Sequence, residues 1–322
     1  MGKILRFTVS AALICWLAWR TDWTSLGQAL AQARFGLWWL AAGLYLASQG
    51  VSALRWQLLA QPLGFQRTFG EYTRMYFIGM FFNLFLPTSV GGDVMRAWQL
   101  QAGGERKLHA LLSVFIDRAS GLFVLLCLGV CGVLASPVEL PPMVRNTVYL
   151  TGLGALLGGV GAIAATFFGQ RFARVRKLSA AIHLYLANPG LAVSSTLLSL
   201  VVQGTNVAVV WILSLALNLD VPLGYFVVAV PMVSLMTVLP ISLNGIGVRE
   251  GGMVLFLSPL GVADATAVSL AVLWFMVFTA ASLVGGVVYF LSDSSRPKEI
   301  SHAAVVGDYS DQGRAGQSRT AA

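Results

Sequence analysis

The sequence predicts an all-α polytopic membrane protein, with about six transmembrane helices and two re-entrant broken-helix hairpins arranged as an inverted repeat. Of its 322 residues 57% are hydrophobic and only 11% are charged, with a mean hydropathy of +0.76. A soluble domain gives about 25% of its residues to charge. Several apolar segments reach the roughly 20 residues that cross a bilayer as a helix. One pattern also occurs twice. LPTSVGGDVMRA from Leu86 returns as LPISLNGIGVRE from Leu239, and Leu86, Pro87, Ser89, Gly92 and Arg96 match Leu239, Pro240, Ser242, Gly245 and Arg249 at a constant offset of 153. The flanking apolar segments correspond as well, 36–59 with 191–217 and 108–135 with 265–291. A unit of helix, broken hairpin and helix is therefore used twice, at about 36–135 and 191–291.

Residues 1–19 open with Lys3 and Arg6 and continue as an apolar helix. Trp16, Trp19 and Trp23 form an interfacial belt and no small-residue cleavage site follows cleanly, so the segment is expected to be retained. The second helix, 36–59, ends with Arg55-Trp56, and Arg55 lies near enough to that end to snorkel. The first hairpin runs from Tyr72 to Leu100 with arms of about 15 residues, too short to cross. Helix three, 108–135, carries Asp117-Arg118 inside an apolar run, and charges at that depth face a polar cavity or one another.

Helix four, 147–168, contains Gly154 and Gly158 at the GxxxG spacing of close helix packing. Segment 171–187 puts Phe172, Val175, Leu178, Ile182 and Tyr185 on one stripe with Arg171, Arg174, Arg176 and Lys177 at its start. That fits a helix lying on the membrane surface, or a basic loop. Helix five, 191–217, holds the polar cluster Gln203, Thr205 and Asn206; the second hairpin, 225–258, and helix six, 265–291, complete a membrane domain of residues 1–291. Residues 292–322 turn to Ser, Asp, Gly and Arg and are expected to form a disordered cytoplasmic tail.

Charge sets the threading. With the amino terminus in the cytoplasm, 14 of the 21 Lys and Arg residues fall on cytoplasmic segments, and only Arg20, Arg34 and Arg145 fall outside. Both termini are then cytoplasmic, the first hairpin dips in from the cytoplasm and the second from outside. Inverted repeats broken at Gly and Pro are the pattern of transporters, with the site where the broken tips meet. The net charge of +8 is accounted for by this distribution and by anionic lipid, without a nucleic-acid partner.

A broken helix in lipid leaves amides and carbonyls that protein or water must satisfy. Freed amides at the start of each second arm would form an anion site. Arg96 and Arg249 stand at matching positions, where a guanidinium grips phosphate in forked geometry, or else caps its own hairpin or pairs with Asp93 or Glu250. Asn83 and Asn244 are candidates to cap the broken segments. Asp117 and Arg118 are either a buried structural pair or, for Asp117, a proton acceptor in a transport cycle. The candidate substrate-binding set is therefore Arg96, Arg249, Ser89, Ser242, Gly92, Gly245, Asn83, Asn244, Asp117, Arg118 and Glu250. No catalytic residue is assigned. Cys15, Cys127 and Cys131 lie in apolar segments, His109, His183 and His302 are scattered, and no P-loop is present, so no cofactor or metal is expected.

Three motifs in order, LPTSVGGDVMRAWQL, FIDRASGL and LPISLNGIGVREGG, resemble the transmembrane, flippase-like domain of the lysylphosphatidylglycerol synthetase family over about residues 4–291. In two-part members of that family, the resemblance implies, this domain moves an aminoacylated phospholipid across the bilayer while a soluble domain makes it. Aminoacyl transfer is not carried over, because nothing here corresponds to that soluble domain. Relatives standing alone are linked to polyprenyl-linked glycan or hopanoid pathways. The resulting expectation is a lipid translocase of a bacterial or archaeal cytoplasmic membrane, acting on a phospholipid or polyprenyl-linked lipid. The alternatives are a non-transporting subunit that presents a lipid to a partner glycosyltransferase or hopanoid-pathway enzyme, and an intramembrane enzyme using Asp93, Asp117 or Glu250 as acid or base.

Overall fold

The computed structural model describes residues 31–85, 91–101, 107–135, 188–238 and 244–292, together with 24, 27, 28, 142, 145, 146, 148–150, 152–154 and 242. Helix 1–19, most of helix 147–168, segment 171–187, the first hairpin's tip at 86–90 with Ser89, and the tail beyond Ser292 lie outside those residues.

The described chain is helical throughout, with no strand among the described residues. Its helices are α1 (Phe35–Ala60), α2 (Phe69–Phe85), α3 (Gly91–Leu100), α4 (Lys107–Ala135), α5 (Pro189–Ala216), α6 (Leu223–Val238), α7 (Val248–Leu257) and α8 (Asp264–Leu291). Lys107–Leu134, Pro189–Ala216 and Asp264–Leu291 are each 28 residues, long and apolar enough to cross a membrane. At 1.5 Å per residue each extends about 42 Å, against a hydrocarbon core of about 30 Å. This is an all-α polytopic membrane protein.

Local signals explain the ends. Asn188 accepts from the Leu191 amide at 3.2 Å, and Pro189 follows at the first helical position, where its missing N–H costs nothing. α1 stops in Gln61-Pro62-Leu63-Gly64 and α7 in Ser258-Pro259-Leu260-Gly261, two 3-10 turns of one recipe closed by a left-handed glycine. At the start of α2, Thr68 and Glu71 form a reciprocal capping box. The Thr68 amide donates to Glu71 Oε2 at 2.8 Å, and the Glu71 amide donates to Thr68 Oγ1 at 3.4 Å.

Both broken segments turn back on themselves. In the first, Gly79 packs beside Arg96 and Asn83 beside Gly92, so α2 and α3 run antiparallel. In the second, Tyr225 donates to the Phe256 carbonyl, Gly252 packs on Val233 and Gly245 on Thr237, so α6 and α7 are antiparallel too. Arms of 17, 10, 16 and 10 residues extend about 15 to 25 Å, less than the bilayer core.

α1 and α5, the first helices of the two repeat units, also lie antiparallel. The Arg34 amide donates to the Ala216 carbonyl at 3.0 Å at one end, and Arg55 Nη1 to Ser199 Oγ at 2.8 Å near the other. Each hairpin leans on the other unit's last helix: Gly285 and Gly286 of α8 meet Phe77 and Phe81 of α2, while Gly129 and Gly132 of α4 meet Met232 and Val228 of α6. In lipid apolar burial gives helices little reason to associate, so close backbone approach at small residues takes over. Two cores result. One gathers Trp56, Tyr72, Met75 and Leu100 around the first hairpin; the other gathers Phe226, Val230, Met253, Phe256 and Leu270 around the second.

Candidate functional site

The first hairpin is closed by its own side chain. Asn83 Oδ1 accepts from the Gly92 amide at 2.7 Å, joining the end of α2 to the start of α3. A Cβ on Gly92 would lie 1.9 Å from the Gly79 carbonyl oxygen, so only glycine permits this crossing. At the second hairpin, Asn244, Gly245 and Gly247 take left-handed φ values of 51°, 78° and 83°. Glu250 then accepts from the Gly247 amide at 2.6 Å.

Two sequence expectations change here. The capping role assigned to Asn244 belongs to Glu250, because Asn244 occupies a left-handed turn position ahead of the helix. Nor are the amides of Gly92 and Gly247 free to bind an anion, since Asn83 and Glu250 already take them.

The guanidinium groups differ. Arg96 is 2% exposed and clamped. Its Nη2 donates to Asp117 Oδ2 at 2.8 Å and Nη1 to Asp93 Oδ1 at 3.3 Å, with its guanidinium carbon 4.2 Å from the Trp56 ring centroid and 4.3 Å from that of Tyr76. Asp117, fully buried, takes Arg55 Nε on its other oxygen at 2.9 Å. Arg55 does not snorkel to the surface: it is 5% exposed and turned inward, because lipid offers no partner and Asp117 does. Arg118 binds Asp93 through three hydrogen bonds of 2.9 to 3.1 Å and keeps 48% of its side chain exposed. Three arginines and two aspartates thus form one connected network across α1, α3 and α4.

Arg249 stands apart. Its guanidinium carbon lies 5.4 Å from the Trp274 ring centroid and 5.1 Å from that of Phe275, and its buried Nη1 has no hydrogen-bond partner among the described residues.

Arg249 and Arg118 line one cavity of about 440 Å³. The first hairpin contributes Tyr76, Asn83 and Asp93 to its wall, and the second contributes Ser234, Thr237 and Asn244. α1 presents Tyr45, Ser48, Gln49, Ser52 and Arg55, spaced as one helical face, and α5 presents Gln203 and Asn206. Of the candidate residues, Asn83, Asn244, Arg118 and Arg249 reach this wall. Arg96, Asp117, Gly92, Gly245 and Glu250 are placed in the framework behind it, and Ser242 is 8% exposed with a hydroxyl unpaired among the described residues. Arg55, Tyr45 and Asp93 join the wall without having been candidate ligands. For Tyr45 the available signal was its spacing from Ser48, Gln49 and Ser52.

Two returning hairpins around a guanidinium-lined cavity place charged and polar side chains in the interior of a multi-pass membrane protein. The chain belongs to the family of the lysylphosphatidylglycerol synthase TM region, whose model matches residues 3–286 and so takes in both hairpins and the whole network. Neither a curated protein nor a solved structure matches it.

Proposed function

We propose that this protein is a lipid translocase of the cytoplasmic membrane, moving a lipid with an anionic or otherwise polar headgroup between leaflets. The observation that supports it most is the convergence of both hairpins on one cavity that holds Arg249, whose buried Nη1 has no hydrogen-bond partner among the described residues. A cation at that depth without a counter-ion is costly unless a ligand completes it. The antiparallel packing of α1 on α5 is what two units inserted in opposite senses require. On that reading the hairpins enter from opposite faces and residues 36–135 and 191–291 are inverted copies.

The headgroup occupies the cavity against Arg249 and Arg118, while the acyl chains stay in lipid beside outward apolar side chains such as Phe123, Leu134 and Phe290, all exposed. Rocking of one unit against the other then exposes the cavity to alternate leaflets.

Purified protein in liposomes containing a headgroup-proximal fluorescent phosphatidylglycerol tests this, with leaflet exchange read by dithionite quenching. Exchange well above protein-free liposomes is expected, and its loss in Arg249→Gln with an unchanged gel-filtration profile. Absence of exchange for every anionic lipid tried favours the non-transporting reading, in which the same cavity presents a lipid to a partner enzyme.

A further inference from the structure

We infer that the cavity selects a headgroup made of one phosphodiester and a neutral, hydroxyl-bearing part, a phosphopolyol, and discriminates against headgroups carrying an ammonium. The inference deepens the translocase reading and rests on it for the ligand being a lipid.

Several polar groups on the wall are already taken. The one carboxylate among the described lining residues is Asp93. A carboxylate has about four lone-pair sites, and Asp93 receives four hydrogen bonds, three from Arg118 and one from Arg96. It has no capacity left for an ammonium, which would have to displace Arg118 or Arg96 to be held. A headgroup amine brought into this cavity would also meet Arg55, Arg118 and Arg249 with their like charge.

The available cationic donors are few. Arg55 gives Nε to Asp117 and Nη1 to Ser199, which leaves its Nη2. Arg249 Nη1 is unpaired among the described residues, and Arg118 spends Nε and Nη2 on Asp93, which leaves its Nη1. Arg249, with spare N–H donors of Arg118 and Arg55 on the same wall, offers guanidinium groups to the anionic oxygens of a phosphodiester.

The remaining uncommitted groups are neutral. The Tyr45 hydroxyl and the carboxamides of Asn206 and Asn244 line the cavity and make no side-chain hydrogen bond among the described residues. Gln203 donates its Nε2 to the Gly121 carbonyl at 3.2 Å and keeps its oxygen free to accept. Carboxamides that both donate and accept, at an intramembrane wall, suit hydroxyls, which do the same.

Isothermal titration of the detergent-purified full chain with dihexanoyl lipids tests the inference. Dihexanoyl phosphatidylglycerol is expected to bind at least roughly tenfold more tightly than dihexanoyl phosphatidylcholine or lysylphosphatidylglycerol. Asn206→Leu should weaken the phosphatidylglycerol probe roughly tenfold while changing dihexanoyl phosphatidic acid, which has no polyol, by no more than about twofold. Arg249→Gln should abolish binding of both. Lysylphosphatidylglycerol binding as tightly as phosphatidylglycerol overturns the inference, as does equal weakening of both anionic probes in Asn206→Leu, or no binding of any probe.

The two readings fail separately. Leaflet exchange of every lipid regardless of headgroup sinks the phosphopolyol assignment and leaves the translocase. Selective phosphatidylglycerol binding without exchange supports the assignment and sinks the translocase. Free glycerol phosphate binding as tightly as the lipid does the same, by assigning the site to a soluble phosphopolyol.

Discussion

Arg96 donates from Nη2 to Asp117 Oδ2 across 2.8 Å, and that contact fixes the second arm of the first hairpin to the helix that follows it. Because the other oxygen of Asp117 holds Arg55 at 2.9 Å, one buried carboxylate joins α1, α3 and α4. The network ties the second arm of the first hairpin to the two long helices beside it.

Asp117→Asn should therefore be strongly destabilising. The amide retains the shape of the carboxylate but leaves Arg55 and Arg96 buried with their charge uncompensated, and breaking such a pair costs about 3–5 kcal/mol. Thermal denaturation followed by fluorescence-detected gel filtration should show a clear fall in the melting temperature. Unchanged melting would mean that the three helices are held by apolar packing alone.

Glycine substitutions separate contact from composition. Alanine at Gly92 would place a Cβ 1.9 Å from the Gly79 oxygen, and alanine at Gly285 would place one 1.9 Å from the Phe77 oxygen, both against backbone. Gly43 and Gly251 have open space around the same position. Gly92→Ala and Gly285→Ala should lose monodisperse protein, whereas Gly43→Ala and Gly251→Ala should match the parent, with a small gain in helix propensity of up to about 1 kcal/mol.

The long helices and both breaks were legible because their signals are local. Apolar runs set the ends of α1, α4, α5 and α8, and Leu-Pro followed by glycines marks each place where a helix stops inside the membrane. The partner of Arg55 was not legible, since Asp117 lies 62 residues away and a position near a helix end fits snorkelling equally well. Arg96 and Arg249 are equivalent by sequence offset and opposite in environment, and the reason does lie in the chain. At that offset Asp93 corresponds to Ile246 and Asp117 to Leu270, so the second unit kept the cation and lacks both acids. The difference between the repeats, more than their match, is the signal that singles out Arg249.

Outside the membrane the Thr68–Glu71 box gives a pH signature. The hydrogen bond from the Thr68 amide, and then those from the Thr68 hydroxyl and Arg67, hold the Glu71 carboxyl below its ordinary value. A depressed carboxyl stabilises the fold above its unfolded value, about 4.3, and that contribution disappears as the pH falls through the folded one. Melting temperature measured against pH should decline more steeply below about pH 4.3 in the parent than in Glu71→Gln. Identical slopes would show that the box does not hold the start of α2.

The difference between the two repeat arginines yields the sharpest test. Arg249 forms no salt bridge among the described residues, so Arg249→Gln should melt close to the parent while leaflet exchange falls at least roughly tenfold, about 1.4 kcal/mol in the barrier. Arg96→Gln should do the reverse in stability, because it leaves Asp117 with one arginine and removes the cation held between Trp56 and Tyr76. Ile246→Asp goes further by restoring to the second unit the acid found at the equivalent place in the first. The new carboxylate stands three residues before Arg249, in the turn ahead of α7 rather than on the helix as Asp93 is on α3, and offers Arg249 the acidic partner that Arg96 has in Asp93. Thermal stability should hold or rise and exchange should fall, since the uncommitted cation of the cavity would be neutralised from within. Exchange unchanged in Ile246→Asp, with the protein folded, would mean that the free charge on Arg249 is not what the headgroup meets.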